Sequence, residues 1–196
     1  MFNFVCMLEE PSAKEMLKVV LPKLLPNNVN FRYIVFEGKQ DLEKQLEGKL
    51  RGWQAPNSYF LILRDQDSGN CVKLKDSLIG KVKNSKKTEN TIIRIACHEL
   101  ESFYLGDLEA VEKGLKIKNL AKMQNNKRYR NPDHLTNASE VLTKLSGSTY
   151  QKIQGSRMIA PFLKLDGSNR SASFNVLISG VKKIHTTIQS CPPTGR

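Results

Sequence analysis

Apolar residues come in short blocks over the first hundred positions, separated by polar stretches whose leucines recur at helical spacing. Residues 2–8 form an apolar run that predicts a strand. Pro11 suits the first turn of a helix, where its missing N–H has no partner to lose. Leu17, Val20, Leu21, Leu24 and Leu25 continue at helical spacing, and Pro26-Asn27-Asn28 ends the run. Residues 29–36 are β-branched and aromatic and predict a second strand. Residues 39–50 predict an exposed, charged helix with Leu42, Leu46 and Leu50 inward. Residues 59–63 are apolar without a break, as in a strand covered on both faces. A helix over 72–82, a lysine-rich loop over 83–90, a strand over 91–97 and a helix starting at His98 complete the pattern.

Strands alternating with helices predict an α/β fold, a mostly parallel four-stranded sheet with helices on both faces. The second half is less regular. Residues 119–137 are polar and turn-rich, and 139–145, 155–163 and 172–184 read as helices. In the last of these, Phe174, Leu177, Ile178, Val181 and Ile184 share a face. The chain therefore divides into an α/β domain (1–112), a basic and mostly helical extension packed on it (113–185), and a flexible tail (186–196) carrying Pro192, Pro193 and Gly195.

Charge sharpens this division. Residues 1–112 carry 16 Lys/Arg and 16 Asp/Glu, whereas 113–185 carry 14 Lys/Arg against Asp133, Glu140 and Asp166. A neutral half followed by a basic half suits a polyanionic partner such as nucleic acid; a merely solubilising basic surface is the plainer alternative. No apolar run approaches the ~20 residues that span a bilayer. No basic leader precedes an apolar stretch, so a cytoplasmic protein without a membrane partner is expected. The four cysteines (Cys6, Cys71, Cys97, Cys191) are scattered without a C-x-x-C, which argues against a zinc site.

Three acidic pairs follow predicted strands: Glu9 and Glu10, Asp65 and Asp67, Glu99 and Glu101. Parallel strands deliver their C-terminal ends to one edge, where ligands of open α/β sheets bind. Six carboxylates gathered there repel one another unless cations sit among them. A hard divalent metal takes such oxygen ligands. In Asp65-Gln66-Asp67, residues two apart project the same way if the strand or a tight turn continues, so both reach one metal. Taken singly, each pair has a structural explanation, because acidic residues favour a helix N-terminus.

A glutamate after the first strand and a D-x-D after a later one resemble the Toprim fold of topoisomerases, primases and OLD-type nucleases. The chain is more closely similar to a bacterial Toprim-like family, domain of unknown function family 4276. That resemblance rests on LEEPS (8–12), FRYIVFEGKQDL (31–42), LRDQDSGNC (63–71), RIACHELESFYLGD (94–107), YRNP (129–132), YQKIQGSRMIAP (150–161) and SFNVLISGVKKI (173–184). It implies a Toprim-like fold and a Mg2+- or Mn2+-dependent nuclease, or an inactive relative. An ABC- or AAA-type ATPase partner is implied with it, in an anti-phage or toxin-like module. The Toprim pattern has Gly after its first glutamate; Glu10 stands there in this chain, so Glu9 is the matching residue.

On this reading Asp65 and Asp67 ligate metal, and Glu9 ligates a second metal or acts as general base. Glu99 and Glu101 are further ligands; on a helix they diverge, and Glu99 is favoured as the inward one. Lys152 and Arg157 are candidates to hold the scissile phosphate. Arg128 and Arg130, beside Tyr129, are candidates to grip the backbone or stack on a base. His98 either assists proton transfer or caps. A haloacid-dehalogenase phosphatase places its D-x-D after the first strand, a D-x-D glycosyltransferase needs a larger chain, and a strand-passing topoisomerase needs a tyrosine on a further domain. The rival from another class is a non-catalytic, basic nucleic-acid-binding or regulatory subunit of an ATPase complex.

Overall fold

A computed structural model of the chain describes residues 1–190. Four strands, β1 (Phe2–Leu8), β2 (Val29–Val35), β3 (Ser58–Asp65) and β4 (Thr91–Ala96), form one all-parallel sheet in the order β2-β1-β3-β4. The order reverses between β1 and β3, which makes that crevice the switch point of the sheet. Both central strands are apolar through their middles (Phe4–Leu8 and Tyr59–Leu63) because both faces are covered.

One face of the sheet (Phe4, Cys6, Leu8, Leu61, Leu63 and Ala96) joins a core with α1 (Pro11–Val20), α4 (Ser102–Leu105), α5 (Leu108–Leu115), α6 (Ala138–Leu145), α7 (Lys152–Ile159) and α8 (Ala172–Ser190). The other face (Val5, Met7, Phe60, Ile62, Ile93 and Ile95) packs on α2 (Lys39–Arg51) and α3 (Cys71–Asn84). The helices of the second half thus build one side of the sheet's core together with α1, α4 and α5. The edge strand β4 is tied to α8 by Arg94, whose Nε donates to the carbonyl of Val176 at 3.0 Å. Among the described residues, no helix is long and apolar enough to cross a membrane.

Two local expectations change, at the ends of helices, while that for the turn-rich segment 119–137 holds. No helix begins at His98, because that residue is in the left-handed region (φ 57°); α4 starts four residues later at Ser102. The polar segment 119–137 holds three 3-10 turns. The last helix runs through 186–190 to Ser190, well beyond the expected end at 184, and Ile188 extends its buried face. The remainder of the expected tail, 191–196, lies outside the described residues.

Candidate active site

Leu8 stands level with Leu63 in adjacent strands, so Glu9 falls level with Arg64 and Asp65 follows one position on, at the switch point. Oε2 of Glu9 accepts the backbone N–H of Asp65 at 3.1 Å. The buried Arg64 places its Nε 3.7 Å from the same oxygen and reaches Glu43 of α2 with its Nη1. Burial pushes the Glu9 carboxyl up, with Arg64 partly offsetting and the charges of Asp67 and Glu10 adding to it.

Asp65 is buried, and one of its oxygens accepts the Leu100 N–H at 3.1 Å. Burial raises its pKa well above the usual carboxylate range, and the charges of Glu10, Glu101 and Glu9 raise it further. Glu101 is fully buried at the start of α4. Its Oε1 accepts the Tyr150 hydroxyl at 2.9 Å, while its Oε2 is buried without a hydrogen-bond partner. Burial raises this carboxyl too, against the opposing pull of Lys152. Lys152, the first residue of α7, holds Glu10 with its Nζ at 3.2 and 3.4 Å. Burial alone would lower the lysine's pKa; Glu101, Glu10 and Asp65 outweigh it and leave the ammonium more firmly protonated. Ser12 donates a second hydrogen bond to Glu10 at 2.9 Å.

Four carboxylates (Glu9, Glu10, Asp65 and Glu101) therefore share one rim with Lys152 and an Arg64 divided between Glu9 and Glu43. The negative charge is undercompensated. Among the described residues, no three His, Cys, Asp or Glu side chains stand close enough for a ready-made metal cage. The donor set nevertheless fits a hard cation. It consists of carboxylate oxygens, and the partnerless Glu101 Oε2 is the kind of buried acceptor that such an ion satisfies.

Two expected ligands lead elsewhere. Asp67 does not share the direction of Asp65, because β3 ends at Asp65 and Asp67 adopts a left-handed conformation (φ 54°) that breaks the period of two. Its carboxylate pairs with Lys39 at 2.9 Å on the exposed side. Glu99 does not point inward: its Oε2 accepts the Ser139 N–H at 2.7 Å, anchoring the start of α6. The inward residue of that pair is Glu101. His98 donates from Nδ1 to the Asp67 carbonyl at 3.0 Å, and so fixes the loop.

Among the basic candidates, only Lys152 enters the rim. Arg157 is paired with Glu15 of α1 at 2.8 Å. Arg128 and Arg130 lie exposed on 3-10 turns, whereas Tyr129 between them is buried in the core. Three site residues had no local signal of the usual kind. Tyr150 acts through a contact 49 positions away, and Lys39 reads as an ordinary helix lysine. Arg64 carried a faint one, a charge at the end of an otherwise apolar strand.

An open parallel sheet, helices on both faces and acids clustered at the switch point define a doubly wound α/β protein with an acidic rim site. The chain belongs to the family described as Domain of unknown function (DUF4276), whose model matches residues 8–182. Comparison with curated proteins and with solved structures gives no match.

Proposed function

We propose that this protein is a magnesium- or manganese-dependent nuclease hydrolysing phosphodiester bonds of DNA or RNA. The observation that carries this reading is the buried, partnerless Oε2 of Glu101, in the mutually repelling field of Asp65 and Glu10. A cation would have to draw Asp65, Glu10 and Glu101 closer together than they stand, displacing Lys152 from Glu10, with Glu9 beside them. Bound there, it would supply Lewis acidity toward a phosphoryl oxygen and a more acidic water. The upward shift of Glu9 suits a general base working nearer neutrality than an ordinary glutamate. Lys152, released from Glu10, is placed to neutralise charge developing on the phosphate. Arg128, Arg130 and the exposed guanidinium of Arg157 are surface grips for the backbone.

The likeness to Toprim nucleases supports this chemistry. It also underlies the wider assignment: a cytoplasmic effector working beside an ABC- or AAA-type ATPase in anti-phage defence or a toxin-like module. A second reading, a non-catalytic basic subunit of such a complex, is favoured by one observation. Lys152 and Lys39 already pair with Glu10 and Asp67, neutralising part of this sheet edge from within.

The test is co-purification with the neighbouring ATPase, then incubation with DNA and RNA in magnesium, manganese or chelator. Cleavage that needs metal and disappears in Asp65→Asn, with binding retained, is the expected result. Cleavage that survives both chelator and Asp65→Asn sinks the nuclease reading. Binding without cleavage in the presence of the ATPase establishes the second one.

A further inference from the structure

The two outer edges of the sheet are finished differently. On β4 the Ala96 carbonyl accepts the Gln66 N–H on the inner side, so Ile93, Ile95 and Cys97 turn their backbone groups outward. The chain itself caps that edge. Arg94 donates from Nη1 to the Ile93 carbonyl at 2.7 Å, and the Cys97 N–H donates to the Ser173 hydroxyl of α8 at 3.4 Å. On β2 the Phe36 N–H donates to the Leu8 carbonyl, and the Asn28 carbonyl accepts the Phe2 N–H. Even-numbered residues therefore face β1, and Phe31, Tyr33 and Val35 turn N–H and C=O outward. Among the described residues, nothing bonds to those outward groups, because β2 pairs with β1 alone.

Natural edge strands are usually guarded by shortness, proline, a bulge or charge. β2 is seven residues long, contains no proline and keeps an unbroken register with β1. Arg32 is the one charged residue between Lys23 and Glu37. Phe31, Tyr33, Ile34 and Val35 remain only partly buried along it. Such an edge is a template for another strand, and β2 complements itself. A copy laid antiparallel about a two-fold axis at Tyr33 sets Tyr33 opposite Tyr33, Phe31 opposite Val35 and Arg32 opposite Ile34. Every outward N–H and C=O of Phe31, Tyr33 and Val35 then meets its counterpart in the copy. An axis at Arg32 would set two guanidinium groups face to face, which is unfavourable. An axis at Phe31 would call on the Val29 N–H, already given to the Pro26 carbonyl at 3.1 Å, and would leave Val35 unpaired. Charge permits the pairing as well. β2 lies in residues 1–112, where 16 basic and 16 acidic residues balance, and not in the basic stretch 113–185.

We infer that the outer edge of β2 is a dimer interface, joining two copies of this chain antiparallel, in the register centred on Tyr33, into one continuous sheet. The strands of the two halves then run in opposite directions, so the two acidic rims lie at opposite ends of the dimer. The inference does not depend on the nuclease reading.

The test is sedimentation velocity of the full chain from about 1 to 100 µM, with oxidative cross-linking beside it. A dimer should appear toward the upper concentration. Tyr33→Pro removes the N–H at the axis but leaves the ladder to β1, which does not use that group, and should weaken the dimer about tenfold or more. Tyr33→Cys sets two thiols opposite each other, at the about 5.5 Å Cα separation of a hydrogen-bonded antiparallel pair, within disulfide reach. Diamide takes up the two thiol hydrogens as the S–S bond forms, so a covalent dimer should rise well above the wild-type background. Arg32→Cys, placed opposite Ile34, should stay at that background. If Tyr33→Pro fails to fold, the two cysteine variants decide. A monomer at every concentration overturns the inference and leaves the edge to a strand of another protein. A dimer untouched by a folded Tyr33→Pro, no link through Tyr33→Cys, or a link through Arg32→Cys in its place overturns it too.

Discussion

Glu101→Gln tests the electrostatics of the rim without needing a substrate. The Glu101 carboxylate is wholly buried, with the Tyr150 hydroxyl on one oxygen and nothing on the other. Burial raises its pKa above that of the unfolded chain, as it does for Asp65 and Glu9. Between the unfolded value, about 4.3 for a glutamate, and the raised folded value, the folded chain holds more protons than the unfolded one. Stability contributed by these groups is therefore complete below the unfolded pKa and is lost as pH rises through the folded one. As pH rises through the folded values, the metal-free protein comes to carry buried anions that oppose folding. Glutamine removes one of them, and its amide oxygen still accepts the Tyr150 hydroxyl. A buried charged acceptor left unpaired costs more than about 1–3 kcal/mol; glutamine puts a neutral NH2 in the same position and so relieves only the charged part of that cost, while weakening the charge-assisted Tyr150 bond returns about 1 kcal/mol. The net gain is about 1 kcal/mol, or a rise of ~2–4 °C in melting temperature for a chain of this size. The gain should shrink as pH falls toward the unfolded value, because the folded wild-type carboxyl then holds its proton more fully. A divalent cation at ~100 times its Kd stabilises the wild type by about 2.7 kcal/mol, ~5–11 °C, and Glu101→Gln should lose at least half of that. Calorimetric melts from the unfolded value up through the folded ones, with manganese or chelator, read all four quantities. A fall in melting temperature for Glu101→Gln at the upper end of that range in chelator, or a wild type that manganese does not stabilise, refutes the reasoning.

Asp67→Asn should change stability by under about 1 kcal/mol, because the ion pair with Lys39 is half exposed. In a cleavage assay it should cost far less than Asp65→Asn, for which a loss of at least about 100-fold is expected. Asp133→Ala should cost about 2–3 kcal/mol in chemical denaturation, since the buried Asp133 accepts the Ser171 hydroxyl at 2.6 Å and the Ser173 N–H at 2.7 Å where α8 begins. Gly114→Ala should destabilise by about 1–3 kcal/mol through overpacking; its Cβ would stand 2.6 Å from the Met158 carbonyl oxygen and 2.7 Å from the Ile159 Cα. An unchanged melt for Gly114→Ala would mean that α5 and α7 are less closely packed than described.

The sheet was legible because its determinants are local. The unbroken apolar run at 59–63 reports a strand covered on both faces, and β3 is such a strand. Its ends were harder to read, since Arg64 and Asp65 are polar for reasons that lie in other segments. Which carboxylates face inward was not legible, because that depends on backbone turns and long-range partners. His98 and Asp67 take left-handed conformations without being glycine, each loop steadying the other: Asp67 N–H donates to the His98 carbonyl at 2.8 Å. Those two turns send Asp67 outward and end the helical spacing by which Glu99 and Glu101 would have been compared. Tyr150, which holds Glu101, lies 49 residues away with no pattern connecting them.

Two lysines show why the rim has to be understood as one unit. Lys39 opens α2 and Lys152 opens α7. A helix N-terminus behaves as a partial positive charge, so a lysine there is unfavourable by ~0.3–1 kcal/mol. Neither placement follows from helix chemistry, and each lysine bonds a carboxylate at this edge of the sheet, Asp67 and Glu10 respectively. A local rule broken twice at the same edge of the sheet marks a site where another requirement prevails. There it is charge balance: Lys152 offsets the four rim carboxylates (Glu9, Glu10, Asp65 and Glu101), whose other cation is a single shared arginine, and Lys39 offsets Asp67 on the outer side of the same edge. Both ammoniums sit on side chains that can swing away, whereas Glu101 and Asp65 are buried and tethered. The two lysines and the acids they bond, Glu10 and Asp67, are all partly exposed, so breaking either lysine pair leaves the buried sheet edge in place.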